Sequence, residues 1–277
     1  MDGAMGTELA RLDVSPELIE TEHGTLTEAE RVAFVHSHYT ALKARVLLTN
    51  TFQVNPVILA KRSADALHHT LWQSAIAAAR SASPRAEFVL GDVGPIPGCS
   101  SEVAKEILKE CRGLDGVLLE TWSSVADLRT FAKERKPGQP PLLASFTFQR
   151  RAKQGWVTFE DTQPGACARA AKRCGAAALG VNCGRELDLK GLRDIVRRYH
   201  DACDLPIFVR PNAGTPTKTA RGWRYPRSPE QMADQLGPLL EEGLAMVGGC
   251  CGTTPEHIWR FSLVLDAWNE NTEPRMK

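Results

Sequence analysis

Near its C-terminus the chain runs from Ala245 to Ile258 as an apolar stretch, two glycines, two adjacent cysteines and a capped helix start. Thiolates are soft ligands that favour zinc over hard cations. Neighbouring cysteines on a regular strand point to opposite faces and cannot share one ion. Gly248 and Gly249 supply the backbone freedom to turn Cys250 and Cys251 the same way. Cys183, which follows Gly180-Val181-Asn182, offers a third thiolate. Together the three make a Cys₃ zinc site with an open fourth position, the arrangement of catalytic rather than closed structural sites. The other five cysteines (Cys99, Cys111, Cys167, Cys174 and Cys203) read as small core hydrophobes. A vicinal Cys250–Cys251 disulfide in a redox protein is a rival use of the same pair.

These residues need strands to carry them. Short apolar runs end in small or polar residues at 46–51, 88–94, 117–121, 142–147, 179–183, 207–212 and 247–251. Continuous apolarity suits parallel strands buried on both faces. Between them lie helical stripes: Val32, Val35, Tyr39 and Leu42 after a Thr27 cap, then stripes centred on Leu71, Leu128, Leu192 and Leu236. Ser228-Pro229-Glu230 and Thr254-Pro255-Glu256 are helix starts, with a hydroxyl cap, proline at the first position and an acid in the first turn. Asp2-Gly3-Ala4-Met5-Gly6 resembles the tail of an eighth strand unit. The expectation is an α/β fold, a (β/α)₈ TIM barrel forming a single domain over residues 1–277. A doubly wound sheet is second, because no Gly-x-Gly-x-x-Gly opens a helix. Barrel sites form at the C-terminal strand ends, so Asp2, Gly3, Thr51, Glu120, Asn182, Cys183 and the Cys250-Cys251 pair should meet at one mouth.

Composition narrows the function. The chain has 277 residues, 43% of them hydrophobic and 24% charged, enough for a sizeable core. A net charge of +1 makes no electrostatic case for nucleic acid or an anionic membrane. There is no membrane-length apolar run and no signal-peptide pattern. Eight cysteines then read as reduced thiols in a cytoplasmic protein.

From Asp2-Gly3-Ala4-Met5-Gly6-Thr7-Glu8 through Thr49-Asn50-Thr51-Phe52, Gly94-Pro95, Glu120-Thr121, Gly180-Val181-Asn182-Cys183 and Pro211-Asn212-Ala213-Gly214 to Gly248-Gly249-Cys250-Cys251-Gly252-Thr253-Thr254-Pro255-Glu256-His257-Ile258, the chain resembles the homocysteine S-methyltransferase barrels. That family includes betaine- and S-methylmethionine-dependent enzymes and the N-terminal module of cobalamin-dependent methionine synthase, and the phrasing is most similar to the last. The resemblance implies that Cys183, Cys250 and Cys251 bind zinc and that homocysteine sulfur takes the open position. It further implies that Asp2 and Glu120 hold the substrate ammonium, that Gly3 and Thr51 place its carboxylate, and that Asn182 supports the metal loop. A free thiol titrates near pH ~8.5, and coordination to zinc deprotonates it outright. The thiolate can then attack an electrophilic methyl group with no general base, which makes Glu120 a binding residue. A small donor such as S-methylmethionine, or a separate corrinoid methyl-carrier protein, would supply the methyl. A non-catalytic zinc- or amino-acid-binding barrel is the alternative from another class.

The chain departs from the pattern in two places. Only Met1 precedes the Asp-Gly motif, so the first strand reads as truncated, with unpaired sheet edges and a leaky core expected. The first helix ends Leu42-Lys43-Ala44-Arg45 without the usual glycine. His36, His38, His68, His69 and His200 read as helix residues without chemistry, His257 as support for the cysteine loop, and Trp122 as a donor-pocket wall.

Overall fold

The computed structural model describes residues 1–12, 29–82, 86–184, 187–219 and 222–272. Seven parallel strands form one curled sheet in the order β1 (Val46–Leu48), β2 (Phe88–Val93), β3 (Gly116–Trp122), β4 (Leu142–Phe146), β7 (Ala178–Asn182), β8 (Ile207–Arg210) and β11 (Met246–Val247). The four strands missing from that order form two antiparallel pairs at the strand ends: β5 (Gln149–Arg151) with β6 (Gly155–Val157), and β9 (Thr217–Thr219) with β10 (Gly222–Arg224). These strands are only three residues each, too short for an apolar run; Trp156 and Val157 of β6 are buried, and the exposed Arg150-Arg151 lies in β5.

Helices separate successive strands of the sheet, as the stripes require. Ser100, Ser124 and Asp188 cap Ser101–Glu110, Val125–Lys133 and Leu189–His200 by accepting a backbone N–H. Ser228 and Gln231 make a reciprocal capping box at Pro229–Ala233. The Thr27 cap lies outside the described residues. At the end of Ala29–Ala41, Lys43 itself takes the left-handed conformation, φ 72°, that a glycine would adopt without strain. Among the described residues no helix is long and apolar enough to cross a membrane.

Side chains alternate across each strand, and this stacks the inside of the curl in two layers. The lower layer is apolar: Val46, Leu48, Leu90, Leu118, Leu143, Ala178 and Phe208, with Met1 and Met246 against them. Gly180 makes room for the Phe208 ring, because a Cβ there would fall 2.3 Å from it. Two residues further along the strands stand Asp92, Glu120, Ser145, Asn182 and Arg210, all buried.

The edges expected to be unpaired are bonded at the level of this upper layer. The Met1 amine donates to Val247 O at 2.7 Å and Asp2 N to Val46 O at 2.8 Å. Gly249 N donates to Asp2 O at 2.9 Å, and Leu48 N to the Asp2 carboxylate at 2.8 Å. Two residues thus stitch the last strand to the first. Below them a groove of about 640 Å³ remains between Val46, Met246, Leu265 and Trp268.

Candidate metal and acceptor site

The three cysteines of the sequence reading converge where β7 and β11 end. Their sulfurs all lie within 4.8 Å of one another, with Cys250 and Cys251 Sγ 3.9 Å apart. A tetrahedral zinc site with Zn–S bonds of ~2.3 Å sets its sulfurs roughly 3.8 Å apart, so this donor set fits that ion. Backbone geometry makes the convergence possible. Cys183 sits at φ 54°, turned off the end of β7. At Gly249 an added Cβ would lie 2.2 Å from Thr253 Oγ1, a hydroxyl that donates to Cys250 O at 2.7 Å. Gly252, at φ 79°, lets the Tyr225 ring close over it, and the Tyr225 hydroxyl reaches Cys251.

The thiols share their protons. Hydrogen bonds from Cys250 and Cys251 hold the Cys183 thiol well below its usual range, and losing further protons beside that thiolate pushes both neighbours up. Asn212 Nδ2 donates to Cys183 Sγ at 3.6 Å. Asn182, fully buried, donates from Nδ2 to Cys250 Sγ at 3.7 Å and to Thr121 Oγ1 at 2.7 Å. Its Oδ1 accepts from Thr121 N at 3.0 Å and Ser145 Oγ at 2.5 Å, and Thr121 is held at φ 63°. Asn182 therefore ties β3 and β4 to the cysteine loop.

Beside the sulfurs lies a buried cluster that sequence reasoning saw only in part. Asp2, Gly3 and Glu120 come together as expected, but around Arg210. One guanidinium nitrogen (Nη1) bonds Glu120 Oε1, and the other (Nη2) reaches Asp2 Oδ1 at 3.2 Å and Gly3 O at 3.4 Å. Burial raises Asp2 to about 6 against the pull of Arg210, and raises Glu120 likewise. Burial, and Glu120 beside it, push the Asp92 carboxyl well above its usual range. The available signal for Arg210 was a lone charge closing the apolar run Ile207-Phe208-Val209. Gly3 leaves no room for a side chain, since a Cβ would fall 2.7 Å from both Thr253 Oγ1 and the Tyr39 hydroxyl. The Thr51 hydroxyl donates to Asp92 O at 2.7 Å and lies 2.6 Å from that of Thr49, bracing the end of β2.

Other candidates sit elsewhere. Trp122 is packed edge-on to Phe131 and donates to Val93 O, so it is a core residue rather than a pocket wall. His36 is buried with both ring nitrogens unpartnered, and burial lowers it to about 4. His68 is buried 3.3 Å from Glu106 rather than on the surface. His257 Nδ1 accepts from Thr254 N and its Nε2 reaches Arg227 O, which pins the helix start after the cysteines. Cys99, Cys111 and Cys167 are buried, and burial pushes each thiol up.

Known proteins share this arrangement of the chain. Methionine synthase of Mycobacterium leprae (strain TN) is 27% identical over 304 residues, taking in 99% of this chain and 25% of that protein. The methionine synthase of Mycobacterium tuberculosis (strain ATCC 25618 / H37Rv) is 30% identical over 291 residues, 93% of this chain and 24% of its own length. The chain thus spans about a quarter of the length of these relatives. The metallated form of the homocysteine methyltransferase MmuM from Escherichia coli superposes with a TM-score of 0.76 at 24% identity, covering 95% of this chain and 94% of that one, a likeness of fold. The sequence profile described as homocysteine S-methyltransferase matches residues 1–264. The chain belongs to the homocysteine S-methyltransferase family.

Proposed function

We propose that this chain transfers a methyl group to the thiol of homocysteine, forming methionine, with zinc held by Cys183, Cys250 and Cys251. The observation that carries this is the convergence of three sulfurs beside the buried cluster of Asp2, Asp92, Glu120 and Arg210 at one end of the sheet. The fold then reads as one (β/α)₈ barrel over residues 1–277, with Met1–Gly3 as the tip of its first strand. When bound, zinc supplies the Lewis acidity that keeps the acceptor sulfur as thiolate at neutral pH.

The chain's own residues do the rest. Asn182 and Asn212 donate to the cysteine sulfurs and fix their orientation. Asp2, Gly3, Thr51 and Glu120 surround the amino-acid head of the acceptor. None is required as a base: the acceptor thiolate forms the new S–C bond as the donor's S–C bond breaks. With S-methylmethionine, the thiolate anion and the sulfonium cation become two neutral thioethers. The likeness to methionine synthases over a quarter of their length supports a second reading of the donor, a separate corrinoid carrier.

Zinc analysis of wild type and Cys183→Ser, combined with methionine formation from homocysteine, tests the proposal. S-methylmethionine and a methylated corrinoid serve as donors in parallel. Wild type should hold one zinc and turn over with one donor, and Cys183→Ser should lose both properties. Full zinc and full activity in Cys183→Ser would overturn the assignment.

A further inference from the structure

We propose that Arg210 fills the ammonium position of this site, so the acceptor is read through its thiol and carboxylate and needs no α-amino group. The acceptor class is then thiol carboxylates in general, with homocysteine one member. This rests on the reading of the three cysteines as a thiol-activating centre.

The argument is one of occupancy and charge. An ammonium held between Asp2 and Glu120 would stand where the guanidinium already stands, with one nitrogen on each carboxylate. Arg210 is 3% exposed and its guanidinium keeps its charge at any working pH. Its stem is boxed in: a Cβ on Gly248 would lie 3.3 Å from Arg210 Cγ, and the layer beneath is Phe208, Met1 and Met246. Moving the guanidinium aside would strand a buried cation among apolar side chains, a costly exchange. Asp2 and Glu120 are therefore already paired with a cation of the chain itself before any substrate enters. The same fork can offer a hydrogen to an incoming carboxylate, as guanidinium geometry favours.

The test compares homocysteine with 4-mercaptobutanoate, which has the same thiol and carboxylate and lacks the amino group. Binding to the full chain loaded with cobalt(II) is read from the absorption change on thiolate coordination, independently of turnover. Wild type should bind the two thiols within about threefold of each other. Arg210→Met frees Asp2 and Glu120 and should shift the preference at least tenfold toward homocysteine, while Arg210→Lys keeps a cation and stays near the wild-type ratio. A wild-type preference for homocysteine above thirtyfold overturns the inference, leaves thiol activation standing, and decides the matter even if Arg210→Met does not fold. Failure of both thiols to change the spectrum overturns the parent reading and this inference together.

Discussion

Replacing Asn182 by Asp changes one NH₂ group into an oxygen and little else. The two bonds to Oδ1, from Thr121 N and Ser145 Oγ, survive, and the Thr121 hydroxyl can rotate to donate to the new oxygen. Cys250 Sγ, 3.7 Å from Nδ2, cannot do the same once it is a thiolate. At that separation two like charges repel by ~4.5 kcal/mol at an effective dielectric of ~20 and by ~1 kcal/mol in bulk water. Loss of a group supporting a metal ligand costs about 10- to 100-fold in affinity, or roughly 1.4–2.7 kcal/mol, inside that bracket. Zinc affinity of Asn182→Asp, measured by chelator competition at pH 7.5, should therefore fall 10- to 100-fold. The deficit should deepen from pH 6 to 8 as the buried carboxyl gives up its proton. Asn182→Ala separates this from packing: it leaves Thr121 N–H and the Ser145 hydroxyl without an acceptor, costing roughly 2–4 kcal/mol of fold stability without adding charge. An Asn182→Asp protein that binds zinc within threefold of wild type would refute the reasoning.

His36 gives a pH dependence whose sign is set by burial. Its folded value of about 4 lies below the ordinary 6.5, so the neutral ring stabilises the fold fully above pH 6.5. That contribution of about 3 kcal/mol drains away as pH falls from 6.5 to 4. Urea denaturation at pH 7.5 and 4.5 should show it in wild type and not in a folded His36→Leu variant. Lys43→Gly should raise stability by about 0.5 kcal/mol, because relief of the left-handed φ outweighs loss of the exposed Lys43–Asp266 pair; thermal melting checks it. In Gly249→Ala, the new methyl displaces the Thr253 hydroxyl from Cys250 O, and zinc binding should weaken at least tenfold by the same chelator assay.

Strand existence was legible because parallel strands buried on both faces leave unbroken apolar runs, and each of the seven runs holds a strand. Their ends were read too far. Of the run 247–251 only Val247 is strand, in Met246–Val247; Gly248 N and Gly249 N still bond Val209 O and Asp2 O, and the chain turns the cysteines beyond them. The hairpins at 149–157 and 217–224 carried no such signal. The bridging of the sheet's two edges was not legible either. It depends on four backbone and carboxylate bonds made by Met1 and Asp2, and hydrogen bonds between residues 246 positions apart leave no periodicity in a sequence.

The cysteine side of the candidate site was visible because thiols are chemically specific, whereas its electrostatic side was hidden by pairing. Asp2 and Glu120 stand out as acids at strand ends, and an acid there suggests a cation from outside. Whether that cation is already present depends on strand parity. Phe208 belongs to the apolar layer inside the curl, so Arg210 two residues later must point inward as well. Its strand neighbour is Asn182, and Cys183 N bonds Arg210 O. The residue that settles the charge of the acceptor pocket is thus bonded through its backbone to a proposed zinc ligand. A substitution at 210 acts on acceptor choice through its side chain, and on the cysteine loop through that backbone bond and through the pull of its charge on Cys250. Arg210→Lys, which keeps the charge, should therefore hold zinc affinity near wild type, Arg210→Met should weaken it as well as change acceptor preference, and Asn182→Asp should weaken zinc binding without changing acceptor preference.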